Sequence, residues 1–349
     1  MKKVQIYALE FGYGGVEREV ITLANSLINI YNIELIFMSK NYDRIPYKIN
    51  SKIKITYINE NTKVFRKLNA ITDINVRRFL KTKLTSDIDT VISTNVMFNK
   101  YIDDCSIENK IYWEHNHHEN SDVILKSILN KIGNFNTIVV PTKKLEEYYK
   151  KNTNINVVMI PNVIEIVEDG ISSLNSRMLI SVGKLVDEKG FDKLIEVMKL
   201  VNDKDRTIKL SIVGEGPARK KLENIVVENG LNRFISFYGT IDKNELFEEY
   251  LNSSLFVSCS ERESFCLSLM EAMTVGVPAV AFYEESLCDV IKNDINGYLI
   301  YDGNIQDMAN KILEIMNNEG LRRELGNCAR ETVMFYDVNT IKSDWIKII

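Results

Sequence analysis

Short apolar runs alternate along the whole chain with amphipathic stretches of helical period, the pattern of βα units feeding a parallel sheet. In the first half these runs fall near residues 3–9, 33–38, 53–58, 89–93, 110–113 and 137–140, and Val157 to Asn162 reads as a strand and turn. In the second half they fall at Met178–Val182, Leu210–Val213, Phe234–Tyr238, Leu255–Ser258 and Pro278–Phe282. Phe191 to Val201 puts Leu194, Ile195, Met198 and Val201 on one helical face, and Val16, Val20, Leu23, Ala24 and Leu27 do the same after the first strand. A helix is also expected from Ala218 to Asn229. A polar stretch from Glu165 to Ser176 predicts a linker, dividing the chain into domains at residues 1–162 and 163–334. The length of 349 residues points the same way, since one hydrophobic core seldom organises so long a chain.

With 45% apolar and 26% charged residues the chain has a globular composition, which excludes a disordered or fibrous protein. No apolar run approaches the roughly 20 residues of a membrane-spanning helix. Met1-Lys2-Lys3 and the run Val4 to Leu9 are too short for a secretion signal, so a cytoplasmic location is expected. The cysteines at 105, 259, 266, 288 and 328 are scattered and form no C-x-x-C pair, which reads as reduced thiols rather than a disulfide framework or zinc ribbon. The net charge of −4 hides an asymmetry: residues 1–160 hold 23 Lys and Arg against 17 Asp and Glu, the remainder 21 against 31. Residues 63–84 carry Lys63, Arg66, Lys67, Arg77, Arg78, Lys81 and Lys83 against Asp73 alone, interleaved with apolar residues. Such a segment either lies peripherally on an anionic membrane or packs its apolar side on the domain and leaves its charges in water. No aromatic stacking array accompanies it, so nucleic acid is not an expected partner.

Candidate chemistry gathers at the ends of the strands. Gly12-Tyr13-Gly14-Gly15 joins the first strand to a helix, a turn that can cradle an anion because glycine lets the backbone approach and the helix N-terminus offers free N–H groups. Its spacing is not the G-x-G-x-x-G of dinucleotide sites. A second glycine turn, Gly214-Glu215-Gly216-Pro217, opens another helix, and a loop bearing Lys184 and Lys189 either clamps a diphosphate or is merely solvated. In Ser260 to Met273 the acids Glu263 and Glu271, if on one continuous helix, would stand about 12 Å apart and roughly 80° out of phase. They would then share neither a proton nor a metal ion and suit an extended ligand. With Ser264 as the cap, Glu263 would lie just outside the positive end of the helix and Glu271 two turns in. All three histidines, His115, His117 and His118, sit in one stretch whose spacing does not form a metal site. Asp87-Ile88-Asp89 spells a metal-diphosphate pattern but precedes a strand and reads as its solvated start.

Taken together these motifs resemble glycosyltransferase family 4, the retaining GT-B enzymes, over nearly the whole chain and most densely from Gly183 to Leu299. The resemblance rests on the first glycine loop, Val182-Gly183-Lys184-Leu185 with Lys189-Gly190, Val213 to Gly216, Tyr238-Gly239-Thr240, the glutamate pair with Glu271-Ala272-Met273, and an Asn296-Gly297-Tyr298-Leu299 turn. It implies an α/β GT-B fold, two Rossmann-like domains facing each other across a cleft, with the N-terminal one on the acceptor side and the last stretch, residues 335–349, crossing back to it. The implied reaction moves a hexose or N-acetylhexosamine from a nucleoside-diphosphate sugar, UDP being the expected carrier, to a glycan or lipid-linked saccharide of a bacterial surface polymer, with no cofactor and no metal. Glu263 would contact the sugar hydroxyls and Glu271 the ribose. Lys184 and Lys189 would neutralise the diphosphate. His115, with His117 as the alternate, would stand beside the sugar, so Glu263, Lys189 and His115 are the implied catalytic residues. Gly14, Gly15, Gly183, Gly214, Ile241, Ser264, Phe265, Cys266 and Leu267 complete the implied donor site. The chain departs from the family at Lys184, where arginine is usual, and at Ser264 and Cys266, where other small residues are commoner. A GT-B sugar-nucleotide epimerase and a non-catalytic partner subunit are the alternatives.

Overall fold

In the computed structural model the described residues are 1–11, 15–40, 47–59, 69–115, 122–166, 170–262 and 266–349. They divide into two compact units, Met1–Val163 with Val338–Ile349, and Ile164–Asp337.

The first unit is a seven-stranded, wholly parallel sheet. Its strands are β1 (Lys3–Phe11), β2 (Asn32–Lys40), β3 (Lys54–Asn59), β4 (Thr90–Ser93), β5 (Asn109–Trp113), β6 (Thr137–Val140) and β7 (Asn156–Met159), in the order β3-β2-β1-β4-β5-β6-β7. Helices α1 (Gly15–Leu27), α2 (Asn69–Lys83), α3 (Val96–Asp103), α4 (Asp122–Leu129) and α5 (Lys143–Asn152) connect them. The α1 face at Val20, Leu23, Ala24 and Leu27 is buried against the sheet, so the period in the sequence marks the packing face. At α2, Val76 and Leu80 are buried in the core while Arg77, Arg78 and Lys81 face water; Lys63, Arg66 and Lys67 lie outside the described residues. No described helix is long and apolar enough to cross a membrane.

The second unit holds β8 (Met178–Val182), β9 (Lys209–Val213), β10 (Ile235–Gly239), β11 (Leu255–Ser258), β12 (Ala279–Phe282) and β13 (Gly297–Ile300), all parallel, in the order β10-β9-β8-β11-β12-β13. Helices α6 (Phe191–Lys204), α7 (Arg219–Glu228), α8 (Lys243–Leu251), α9 (Leu267–Thr274), α10 (Ile305–Asn317) and α11 (Glu319–Val333) surround the sheet. The segment from Gly297 is a strand; the turn occupies 294–296 before it. A Cβ at Gly297 would overlap the carbonyl of Ala279, so glycine lets β13 lie close to β12. The last helix, α12 (Val338–Ile348), belongs to the first unit, where Trp345 meets Trp113 edge to face at 4.7 Å.

Candidate active site

In the second unit the strand order reverses between β8 and β11, the place where open parallel sheets bind ligands beyond the carboxyl ends of the strands. Three connections meet there. The backbone N–H of Glu261 donates to the carbonyl of Glu188 at 3.1 Å, and Lys189 Nζ reaches the carbonyl of Arg262 at 3.4 Å. Ser268 Oγ, in the first turn of α9, donates to the carbonyl of Val182 at 3.1 Å. The loop bearing exposed Lys184 and half-buried Lys189, the segment Ser260 to Arg262 and the N-terminus of α9 are therefore neighbours. A lysine-bearing loop and a helix N-terminus that meet in this way can stabilise an anion such as a diphosphate.

The glycine turns serve close packing of these loops. Gly214 has φ +140°, and a Cβ there would overlap the carbonyl oxygen of Gly183. The N–H of Gly183 donates to Val213 at 3.0 Å and that of Gly214 to Gly239 at 2.9 Å. Both amides are thus occupied within the fold, and the α9 terminus is the better source of N–H groups for phosphate.

That terminus differs from the expectation. Helix α9 begins at Leu267, and the residue before it is Cys266, in the left-handed conformation at φ 38° and ψ 65° with no side-chain cap. Cys266 holds the capping position, and Glu271, the fifth residue of the helix, lies little more than one turn in. Glu271 is half-buried and its Oε2 accepts the hydroxyl hydrogen of buried Tyr250 from α8 at 2.9 Å. Ile241 and Leu267 are half-buried and pack on the same core cluster. Gly14, Glu263, Ser264, Phe265, His117 and His118 lie outside the described residues.

In the first unit Gly15 opens α1 and is exposed, and His115 follows β5. His115 is buried, with Nδ1 3.3 Å from Oε2 of Glu19 on α1 and its ring 4.5 Å from that of Trp113. Its backbone N–H donates to Oε1 of Glu114 at 2.9 Å. Glu114, fully buried, also accepts from the hydroxyls of Tyr112 at 3.1 Å and Tyr149 at 2.5 Å. Burial, with Glu114 close by, holds both tyrosine hydroxyls well above their usual range, so both keep their protons and donate. Neither Glu19 nor Tyr250 stands out as a site residue in the sequence motifs. Glu19 carried a signal: it lies on the apolar face of α1, three residues after Val16 and four before Leu23.

Among the described residues no group of three or more His, Cys, Asp and Glu could hold a metal ion. Asp87 is paired with Lys3 Nζ, and Asp89 accepts the backbone N–H of Lys3 at 2.7 Å, which ties the entry of β4 to that of β1.

Residues 164–332 match the family described as Glycosyl transferases group 1. The chain is 29% identical to poly(ribitol-phosphate) alpha-N-acetylglucosaminyltransferase of Staphylococcus aureus over 330 residues, which is 90% of this chain and 66% of that protein's length. It is 26% identical to an uncharacterized glycosyltransferase of Haemophilus influenzae, with 100% of each chain covered. Its fold is similar to that of an S. aureus TarM mutant in complex with fondaparinux, alpha-GlcNAc-glycerol and UDP, with a TM-score of 0.85 at 19% identity over 100% of this chain and 99% of that one. The chain therefore has the GT-B fold, and its second unit carries a Glycosyl transferases group 1 domain.

Proposed function

We propose that the protein is a retaining glycosyltransferase of family 4 that moves a sugar from a UDP-sugar to a glycan or lipid-linked saccharide acceptor of a bacterial surface polymer. The observation that carries the reading is the meeting of the Lys184–Lys189 loop with the N-terminus of α9 at the reversal point of the second sheet. The diphosphate is assigned to that place, and the ribose to Glu271, whose carboxylate Tyr250 holds in one orientation. Glu263 is assigned to the sugar hydroxyls. The sugar best supported is N-acetylglucosamine, which the S. aureus relative transfers by its name and which the TarM complex contains as a glycoside.

In the reaction the bond from the anomeric carbon to the diphosphate oxygen breaks, and the acceptor oxygen bonds to that carbon on the same face. The acceptor's proton passes to the leaving diphosphate. Lys184, Lys189 and the α9 terminus stabilise the negative charge that grows on the diphosphate, the task that a metal ion performs in other transferases. Arg77, Arg78 and Lys81 on α2 offer charge alone to an anionic membrane, because the apolar side of that helix at Val76 and Leu80 is buried.

The test is UDP release from a panel of UDP-sugars, first without acceptor and then with ribitol-phosphate, glycerol-phosphate and lipid-linked saccharides. Turnover of at least one donor is expected. An epimerase would instead isomerise the donor with no sugar appearing on an acceptor, and a non-catalytic subunit would leave every donor intact.

A further inference from the structure

His115 is held on three sides. Glu19 of α1 faces Nδ1 at 3.3 Å, the Trp113 ring lies against the imidazole at 4.5 Å, and Oε1 of Glu114 takes the backbone N–H at 2.9 Å. Trp113 is itself braced by Trp345, and Glu114 by Tyr112 and Tyr149. Nε2 is buried and has no hydrogen-bond partner among the described residues. Glu19 Oε2 and the Asn162 side-chain oxygen are buried without hydrogen bonds as well. The Glu19–His115 contact is long for a formed hydrogen bond, as hydrogen bonds at reactive sites often are before substrate arrives.

Buried polar groups are nearly always satisfied, so a buried imidazole with one nitrogen facing a carboxylate and the other unmatched has the form of a ligand-directed group. An imidazole cannot choose its tautomer alone; the partner of one nitrogen decides what the other offers. Glu19 supplies that partner from a different element. We infer that Glu19 is the positioning residue for His115, taking the Nδ1 hydrogen so that Nε2 is left as an acceptor for a substrate hydroxyl. The inference rests on the glycosyltransferase reading for the identity of the hydroxyl. The charged groups around the pair are Arg18 on α1, which favours the Glu19 carboxylate, and Glu114, which binds the histidine backbone; Asn162 adds a neutral amide beside Glu19. Burial raises the Glu19 pKa, and His115, Arg18 and Asn162 act against that rise.

The experiment is a double-mutant cycle on the full chain, measuring donor kcat and KM for wild type, Glu19→Ala, His115→Ala and the double variant. Glu19→Ala is expected to lower kcat about 30-fold with donor KM within about threefold, and to add less than about twofold on the His115→Ala background. Glu19→Gln, which keeps an oxygen to accept the Nδ1 hydrogen, should restore most of kcat. An equal loss on both backgrounds, or full activity in folded Glu19→Ala, would overturn the inference. Should Glu19→Ala fail to fold, ¹⁵N spectra of histidine-labelled wild type at pH 8 decide, with His115 assigned from the His115→Ala spectrum. Protonated Nδ1 and bare Nε2 are expected, and the reverse tautomer overturns the assignment. Absence of turnover with any nucleotide sugar in wild type would defeat the glycosyltransferase reading, while the spectra would still judge the Glu19–His115 pair.

Discussion

The hydroxyl of Tyr250, buried on α8, donates to Oε2 of Glu271 on α9 at 2.9 Å. Glu271 therefore does not wait in water for its ligand; a neutral donor from a neighbouring helix holds its carboxylate.

If Glu271 binds the ribose, remote from the reacting carbon, its binding is shared by ground and transition states. Glu271→Ala should chiefly raise donor KM, and Tyr250→Phe should raise it about three- to tenfold with kcat within about twofold. Donor-saturation kinetics on both variants check this. A kcat loss without a KM change in Tyr250→Phe would contradict the assignment.

Cys266 supplies a second expectation, because it holds a left-handed backbone at the start of α9. Alanine keeps that strain and glycine removes it, while both delete the thiol. Cys266→Gly should therefore be more stable than Cys266→Ala by about 0.5–1 kcal/mol, the reverse of their order inside a helix. Urea midpoints of the two variants measure the difference; a more stable alanine variant would show that the left-handed backbone is not required.

Much of the fold was legible in the sequence because buried parallel strands are written as compact apolar runs. β8, β9, β11 and β12 coincide with such runs to within a residue, and the face of α6 at Leu194, Ile195, Met198 and Val201 is buried. β13 reads as a turn in the sequence because its four residues include Gly297, a residue that favours turns but here permits close strand approach. The start of α9 is hidden in the sequence for a related reason. Local rules favour Ser264 as a cap, whereas the chain enters the helix through a left-handed Cys266, a conformation that no side-chain preference announces. Glu19 and Tyr250 were illegible as site residues because their partners, His115 and Glu271, lie 96 and 21 residues away and meet them only in the folded chain.

The buried Glu19 carboxyl also leaves a signature in stability. Burial raises its pKa in the folded state above the ordinary carboxylate value of 4.5. Its contribution to stability is then fully present below the unfolded pKa and is lost as pH rises through the folded one. Glu19→Gln cannot ionise and lacks that loss, so its melting temperature relative to wild type should rise between pH 4.5 and pH 8. A difference independent of pH would place the folded pKa at its ordinary value.

Lys184, Lys189 and the α9 terminus take the place of a metal in the proposed reaction. Donor turnover should therefore be unchanged, within about twofold, in excess chelator. Activity abolished by chelation and restored by magnesium or manganese would contradict this.

Transfer with retention from a UDP-sugar is tested most directly by the configuration of the first product. Proton NMR of the reaction with UDP-N-acetylglucosamine, whose sugar is α-linked, and a saturating acceptor should show UDP formed together with an α-glycoside. A β-glycoside, or a donor epimerised with no glycoside formed, would contradict the account.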